Sequence, residues 1–190
     1  MYTDLKNPSS FRSKFLISNA LLELMKEENY KKISITSISQ KAGIVRKTFY
    51  RNFGDKDDII KFQVDTSMAH FLKFNNFDKM SFVDILLNSY SFLQNYKDFI
   101  LLYYHNGILD YTGNYIAEYI IKNKLVFLFT KITSSKIPSY YYDYIPELIT
   151  DMFNSIVKKW ISNGFKETAL ELAKLNEDLI HGKLFLPKIN

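Results

Sequence analysis

The stretch "AGIVRKTFYRNF", residues 42–53, sets the tightest limit on what this chain can become. Arg46, Lys47 and Arg51 share it with Phe49, Tyr50 and Phe53, and it contains no acid. A core helix would not tolerate that charge, and a fully solvated helix gains nothing from its phenylalanines. One helix with two faces satisfies both demands. Phe49 and Phe53, at i and i+4, fall on one side of it, and the basic and hydroxyl-bearing residues take the other.

The flanks predict the helix's setting. Ser34 is placed as an N-cap, and Ile33 and Ile38 stand at the spacing of a hydrophobic staple around it. A short helix therefore starts at Ile35 and stops at Gly43, which supplies the left-handed residue of a tight turn. The next helix runs from about Arg46 to Asn52. Asp55 caps a longer fourth helix whose first turn carries Asp57 and Asp58, where carboxylates suit the positive end of the dipole. Two short helices joined by a tight glycine turn form a helix-turn-helix, whose second helix enters the DNA major groove. Ile38 and Ala42 are expected to face that helix, and Ile44 to be buried at the junction. Arg46 and Lys47 then occupy the turn that reaches base edges, where the guanidinium fork matches guanine O6 and N7. Thr48 and Tyr50 offer hydroxyls to phosphate oxygens. Lys56, at the start of the fourth helix, is expected to meet a phosphate together with free backbone N–H groups.

Charge placement agrees. Of the net +5, residues 1–60 contribute eleven Lys/Arg against seven Asp/Glu, and residues 61–190 contribute fourteen against thirteen. The excess sits in the first third of the chain, where it attracts a polyanion. Solvated lysines on a basic protein would give the same total, so the clustering of Lys41, Arg46, Lys47 and Arg51 is what carries weight. With no cysteine, disulfides and thiolate metal sites are excluded. His70, His105 and His181 lie far apart, and no phosphate loop, nucleophile elbow or dinucleotide fingerprint occurs. No enzyme, cofactor or metal is expected. The most apolar segment, Ile116 to Phe129, is too short and too interrupted by Glu118, Lys122 and Lys124 to span a membrane. The N-terminus has no signal-peptide pattern, and a cytoplasmic location is the expectation.

The remaining periodicity is helical throughout. The first helix is expected to bury Phe11, Phe15, Ala20, Leu21, Leu24 and Met25, to be capped by Ser9 or Ser10 with Pro8 outside, and to end near Glu27. Breaks are expected at Asn75-Asn76, Asn106-Gly107, Thr112-Gly113-Asn114 and Asn163-Gly164, with the longest loop from Ser134 to Pro146. Thr168 and Glu171 have capping-box spacing and open a last helix from Ala169 to Ile180. The expected fold is all-α. A basic three-helix DNA-binding head, residues 1–56, precedes a larger, near-neutral helical body, residues 57–190.

The text SITSISQKAGIVRKTFYRNFGDKDDII, residues 34–60, resembles the N-terminal signature of the tetracycline-repressor (TetR) family of regulators. In that signature a capped helix leads to Ala-Gly, a β-branched residue, Thr-Phe-Tyr-x-x-Phe, and a Lys-Asp/Glu pair. The nucleic-acid-binding set this implies is Ser34, Arg46, Lys47, Thr48, Tyr50, Arg51, Asn52 and Lys56. Two positions depart from the pattern. Val45 stands where a small hydroxylic N-cap is common, a loss of about 1 kcal/mol, and Asn52 stands where histidine is frequent. Residues 154–175, NSIVKKWISNGFKETALELAKL, look like the tail of short members related to dihydroxyacetone-kinase regulators.

The resemblance implies a homodimer joined through the last two helices, near Glu147 to Asn163 and Thr168 to Ile180, bound to a palindromic double-stranded operator. It implies a repressor released by a small apolar or aromatic effector in the body, where Tyr90, Tyr103, Tyr104 and Tyr119 are the candidate lining residues. The same aromatics at helical spacing also serve an ordinary core. A coactivator or adaptor of the same fold, acting through a protein partner, is the alternative.

Overall fold

The computed structural model describes residues 8–123, 125 and 138–183, so positions 134–137 of the expected long loop lie outside them. The described residues are all-α, with no strand. The helices are α1 (Pro8–Glu27), α2 (Ile35–Lys41), α3 (Arg46–Asn52), α4 (Asp57–Phe74), α5 (Phe82–Asn95), α6 (Lys97–His105), α7 (Leu109–Lys122), α8 (Tyr141–Ser162) and α9 (Ala169–Ile180), with single 3-10 turns at Tyr30–Lys32 and Phe77–Lys79. Packing divides the chain into two units: Met1–Met68 with Leu102–Ile108, and Ala69–Leu101 with Leu109–Asn190.

In the first unit α1, α2 and α3 pack pairwise around Ile17, Leu21 and Met25 of α1, Ile38 of α2, Phe49 of α3 and Ile59, Ile60 and Val64 of α4. The first helix begins at Pro8 and not after it, which suits proline because its fixed φ and missing N–H are harmless in a first turn. Phe15, expected on the buried face, is exposed, as is Leu16. Segment 102–108 is tied into this unit by the buried Asn106. Its Oδ1 accepts from the Tyr30 N–H at 2.7 Å, and its Nδ2 donates to the carbonyls of Met25 (3.2 Å) and Leu102 (2.9 Å). Tyr103 adds a second tie, donating its hydroxyl to Gln63, whose Nδ-equivalent amide nitrogen, Nε2, donates to the Ser18 hydroxyl at 2.8 Å.

The second unit packs α5 on α9, α7 on α8, and α8 on α9. Its centre is Trp160, whose ring meets Tyr90 and Phe165 edge-on and whose Nε1–H donates to the Glu167 carbonyl at 2.9 Å. Reciprocal capping boxes open α5 (Ser81 with Asp84) and α9 (Thr168 with Glu171). The Ser81 hydroxyl holds Asp84, and the Thr168 backbone N–H and hydroxyl hold Glu171, below the usual carboxylate range. These contributions are present at neutral pH and are lost as the pH falls through the lowered values.

Two expected features of this unit are corrected, and one boundary has no sequence expectation. Thr112-Gly113-Asn114 is no break; it lies inside α7, where Gly113 is buried and a Cβ there would collide with the Asn154 amide of α8. Pro146 lies inside α8 and not in a loop. That helix opens with i→i−3 bonds from Tyr141, Tyr142 and Asp143 to Pro138, Ser139 and Tyr140, and the Pro146 carbonyl accepts the Thr150 hydroxyl at 2.6 Å. Tyr96 ends α5, with its N–H on the Leu93 carbonyl, at a place where neither glycine nor proline marks the boundary. Among the described residues no helix is long and apolar enough to cross a membrane.

Gly113→Ala is expected to destabilise the protein by about 1–3 kcal/mol, the usual cost of overpacking. Adding Asn154→Ala should recover part of that loss in the same denaturation measurement, which separates a steric clash from a helix-propensity effect.

Candidate nucleic-acid interface

The interface is built on α3, a seven-residue helix too short to persist alone. Its preceding turn is defined at every bond. The Ser34 hydroxyl accepts from the Ser37 N–H at 3.0 Å while the Ser37 hydroxyl accepts from the Ser34 N–H at 3.1 Å, a capping box that starts α2. Ile33 and Ile38, the staple pair, are both buried. At the other end the Gly43 N–H reaches the Gln40 carbonyl (3.1 Å) and the Ile44 N–H reaches Ser39 (3.0 Å), with Gly43 at φ 66°. This is a Schellman closure. Ile44 is half-buried, less enclosed than expected.

Phe49 is fully buried and Phe53 nearly so. Phe53 packs edge-on against Phe62 of α4 at 5.8 Å between ring centres, and Phe49 lies 6.2 Å from Phe53. With that side of α3 fixed, Arg46, Lys47, Tyr50 and Arg51 are all exposed on the other, as two adjacent i,i+4 pairs. The Arg46 guanidinium donates to the Tyr50 hydroxyl at 3.3 Å and lies 5.9 Å from the centre of its ring. Thr48 is half-buried. The Val45 side chain makes no cap hydrogen bond; its carbonyl accepts from Thr48 (2.8 Å) and Phe49 (3.3 Å).

The other candidate residues are placed differently. Asn52 turns inward, donating to the Thr48 carbonyl at 2.7 Å and accepting from the Ser10 hydroxyl at 3.2 Å, so it fastens α3 to α1. The Ser34 hydroxyl is taken up by its cap. Lys56 is the clearest revision. Its ammonium donates to the carbonyls of Tyr30 (2.6 Å), Ile33 (3.1 Å) and Lys31 (3.3 Å) and lies over the Tyr30 ring. Its three donors are thus engaged within the unit, where they satisfy the carbonyls around a 3-10 turn, and none is left for a phosphate. The neighbouring expectation fares well: the Asp55 carboxylate accepts the Asp58 N–H at 2.9 Å at the start of α4.

The four tyrosines proposed from sequence as effector-lining residues divide between the units, Tyr103 and Tyr104 in the first, Tyr90 and Tyr119 in the second. Tyr90 is enclosed by Phe153, Trp160 and Asn176, and burial raises its phenol above the usual range. Burial raises Tyr103 likewise. Tyr104 is exposed and Tyr119 half-buried. His70 meets Phe74 edge-on, with 4.7 Å between ring centres. Among the described residues no three His, Asp or Glu side chains gather as a metal-ion site requires.

A short basic helix, pinned by phenylalanines behind a glycine-closed turn, defines a helix-turn-helix transcriptional regulator. The chain belongs to the TetR family. Residues 17–61 match the model described as bacterial regulatory proteins, tetR family, and residues 80–182 match a transcriptional regulator C-terminal region. Three solved structures share the fold. A TetR transcriptional regulator from Streptococcus agalactiae 2603V is 19% identical, with 93% of this chain and 97% of that one covered and a TM-score of 0.66. The dihydroxyacetone kinase operon activator DhaS is 18% identical, covering 91% and 96%, at 0.55. A tetR-family regulator from Streptomyces coelicolor is 16% identical, covering 88% and 80%, at 0.53. No curated protein matches the chain by sequence.

Lys56→Met keeps the aliphatic stem and removes the three donors. It is expected to lower stability by about 1–2 kcal/mol in denaturant titration, the scale for losing charge-assisted hydrogen bonds at a half-buried site. A stability equal to wild type would show the carbonyl clamp to be idle.

Proposed function

We propose that this protein is a cytoplasmic, homodimeric repressor that binds a palindromic double-stranded operator through α3 and is released by a small apolar or aromatic effector. The observation that carries the DNA reading is the exposed quartet Arg46, Lys47, Tyr50 and Arg51, held outward by buried Phe49 and Phe53. Arg46 and Lys47 read base edges. Tyr50, Thr48 and Arg51 hold phosphates and set register. Asn52 fastens α3 to α1, Ser34 caps α2, and Lys56 clamps the carbonyls of the 3-10 turn. This role is regulatory and not enzymatic.

Dimerisation is supported by the outer faces of the last two helices, within Glu147 to Asn163 and Thr168 to Ile180, where Leu148, Leu170 and Leu175 are exposed. One seven-residue helix reads few base pairs, and a two-fold pair reads half-sites about a helical turn or its multiple apart. An effector releases DNA only by binding the non-matching arrangement of the two recognition helices more tightly. A second reading, an adaptor acting through a protein partner, is favoured by the exposed Tyr140, Tyr141, Tyr142, Tyr144 and Leu148 at the start of α8. DhaS, of similar fold, is described as an operon activator.

Binding to duplexes from the chain's own upstream DNA, followed by light scattering and titration at several salt concentrations, separates these readings. A homodimer that binds unaided, with affinity falling steeply as salt rises through counterion release, is the expected result. Arg46→Ala with Lys47→Ala should weaken binding by roughly 1–3 kcal/mol per lost base contact. Unchanged affinity in that variant would remove α3 as the reading element, and binding that requires a second protein would favour the adaptor.

A further inference from the structure

An amide lies in the core of the second unit where an apolar residue would pack without loss. Asn176, on the inward face of α9 beside Leu172 and Ala173, is 0% exposed. Its Nδ2 donates to the Tyr90 hydroxyl of α5 and to the Leu172 carbonyl at 3.3 Å. Its Oδ1 is enclosed and accepts from no group of the protein. Turning the amide over would not cure this. Oδ1 would then face the Leu172 carbonyl, acceptor against acceptor, and Nδ2 would become the atom without a partner. A leucine at 176 would fill a similar volume and leave nothing unpaired, so the amide carries a desolvation cost that the fold does not recover. Natural chains break local rules of this kind at functional sites.

The surroundings define what would pair with Oδ1. Tyr90 is fully buried, with its ring centre 4.6 Å from that of Phe153, and it meets Trp160 edge-on at 6.0 Å. Of these two neighbours Phe153 is the half-buried one, so it marks the side nearer solvent. No charged side chain is buried among the described residues, and burial raises the Tyr90 phenol, which keeps it neutral. The missing partner is therefore an uncharged N–H or O–H donor on an apolar or aromatic body. With its oxygen accepting from Nδ2, the Tyr90 hydroxyl keeps its own hydrogen for a second acceptor, and one ligand hydroxyl meets both needs. We propose that Asn176 and Tyr90 anchor a neutral, hydroxyl-bearing, single-ring aromatic molecule among α5, α8 and α9, with Asn176 Oδ1 accepting from its hydroxyl. This rests on reading the second unit as effector-binding, and it names the chemistry of that effector.

Phenol, anisole and toluene share a ring and differ in whether they can donate. Each is titrated into the full-length protein, with binding read from the melting temperature and from the Asn176 side-chain amide by NMR. Phenol is expected to bind saturably, to shift that amide, and to bind roughly tenfold more tightly than anisole or toluene, the worth of one buried hydrogen bond. Asn176→Leu is expected to lose the preference for phenol. Tyr90→Phe deletes one oxygen, keeps the ring packing and should weaken phenol several-fold; it carries the same comparison should Asn176→Leu not fold. No binding of phenol, equal affinity for the three probes, or a preference that survives in both variants would overturn the site and leave the amide a structural cost only. Affinity for a selected DNA duplex, measured with and without phenol, separates this site from the reading it rests on. Phenol bound with duplex affinity unchanged would leave the site standing and remove effector release from the proposed function.

Discussion

The burial of Phe49 decides what the rest of the first unit can do. A seven-residue helix has too few internal bonds to hold itself together, so its orientation is set by packing. Phe49 enters the core formed by α1, α2 and α4, and Phe53 extends that contact to Phe62. Once those rings are placed, the 3.6-residue period determines that Arg46, Lys47, Tyr50 and Arg51 face away. The charge on the outer face needs no buried counter-charge, because apolar rings and the Asn52–Ser10 hydrogen bond hold the helix in position.

The polar groups around α3 serve that placement. Asn52 ties its end to Ser10 of α1, Lys56 gathers three carbonyls beneath the 3-10 turn, and Asn106 joins the end of α1 to segment 102–108. Asn106 satisfies buried groups whose loss of a partner would cost about 1–3 kcal/mol, while Asn52 and Lys56 meet part-buried ones. Residues that look suited to phosphate by type are therefore partly committed to architecture. Type and spacing name the neighbourhood of the interface, while hydrogen-bond partners decide which members are available to a ligand.

That distinction marks how far the sequence could be read. The limits of α2 and the start of α9 were legible because caps and a glycine define them locally: Ser34, Gly43, Thr168 with Glu171. The exposed reading face followed from the spacing of Phe49 and Phe53. Failures came where tertiary contact overrides local preference. Gly113 resembles a break but exists to let α7 approach Asn154. Pro146 resembles a loop but is absorbed by a helix whose first turn uses i→i−3 bonds. Tyr96 ends α5 without any breaker residue, and Phe15 keeps the helical period yet stays outside. The inward turn of Lys56 had no sequence signal, since it depends on carbonyls more than twenty positions earlier.

The central claim is that the outer face of α3 is where this regulator meets DNA. Amide hydrogen exchange across the chain, with and without a selected duplex, tests it most directly. The expected result is slowed exchange at residues 45–51 on adding the duplex, including the Arg46 and Lys47 amides that lack a side-chain cap. Protection confined to the start of α8, with residues 45–51 unchanged, would contradict it.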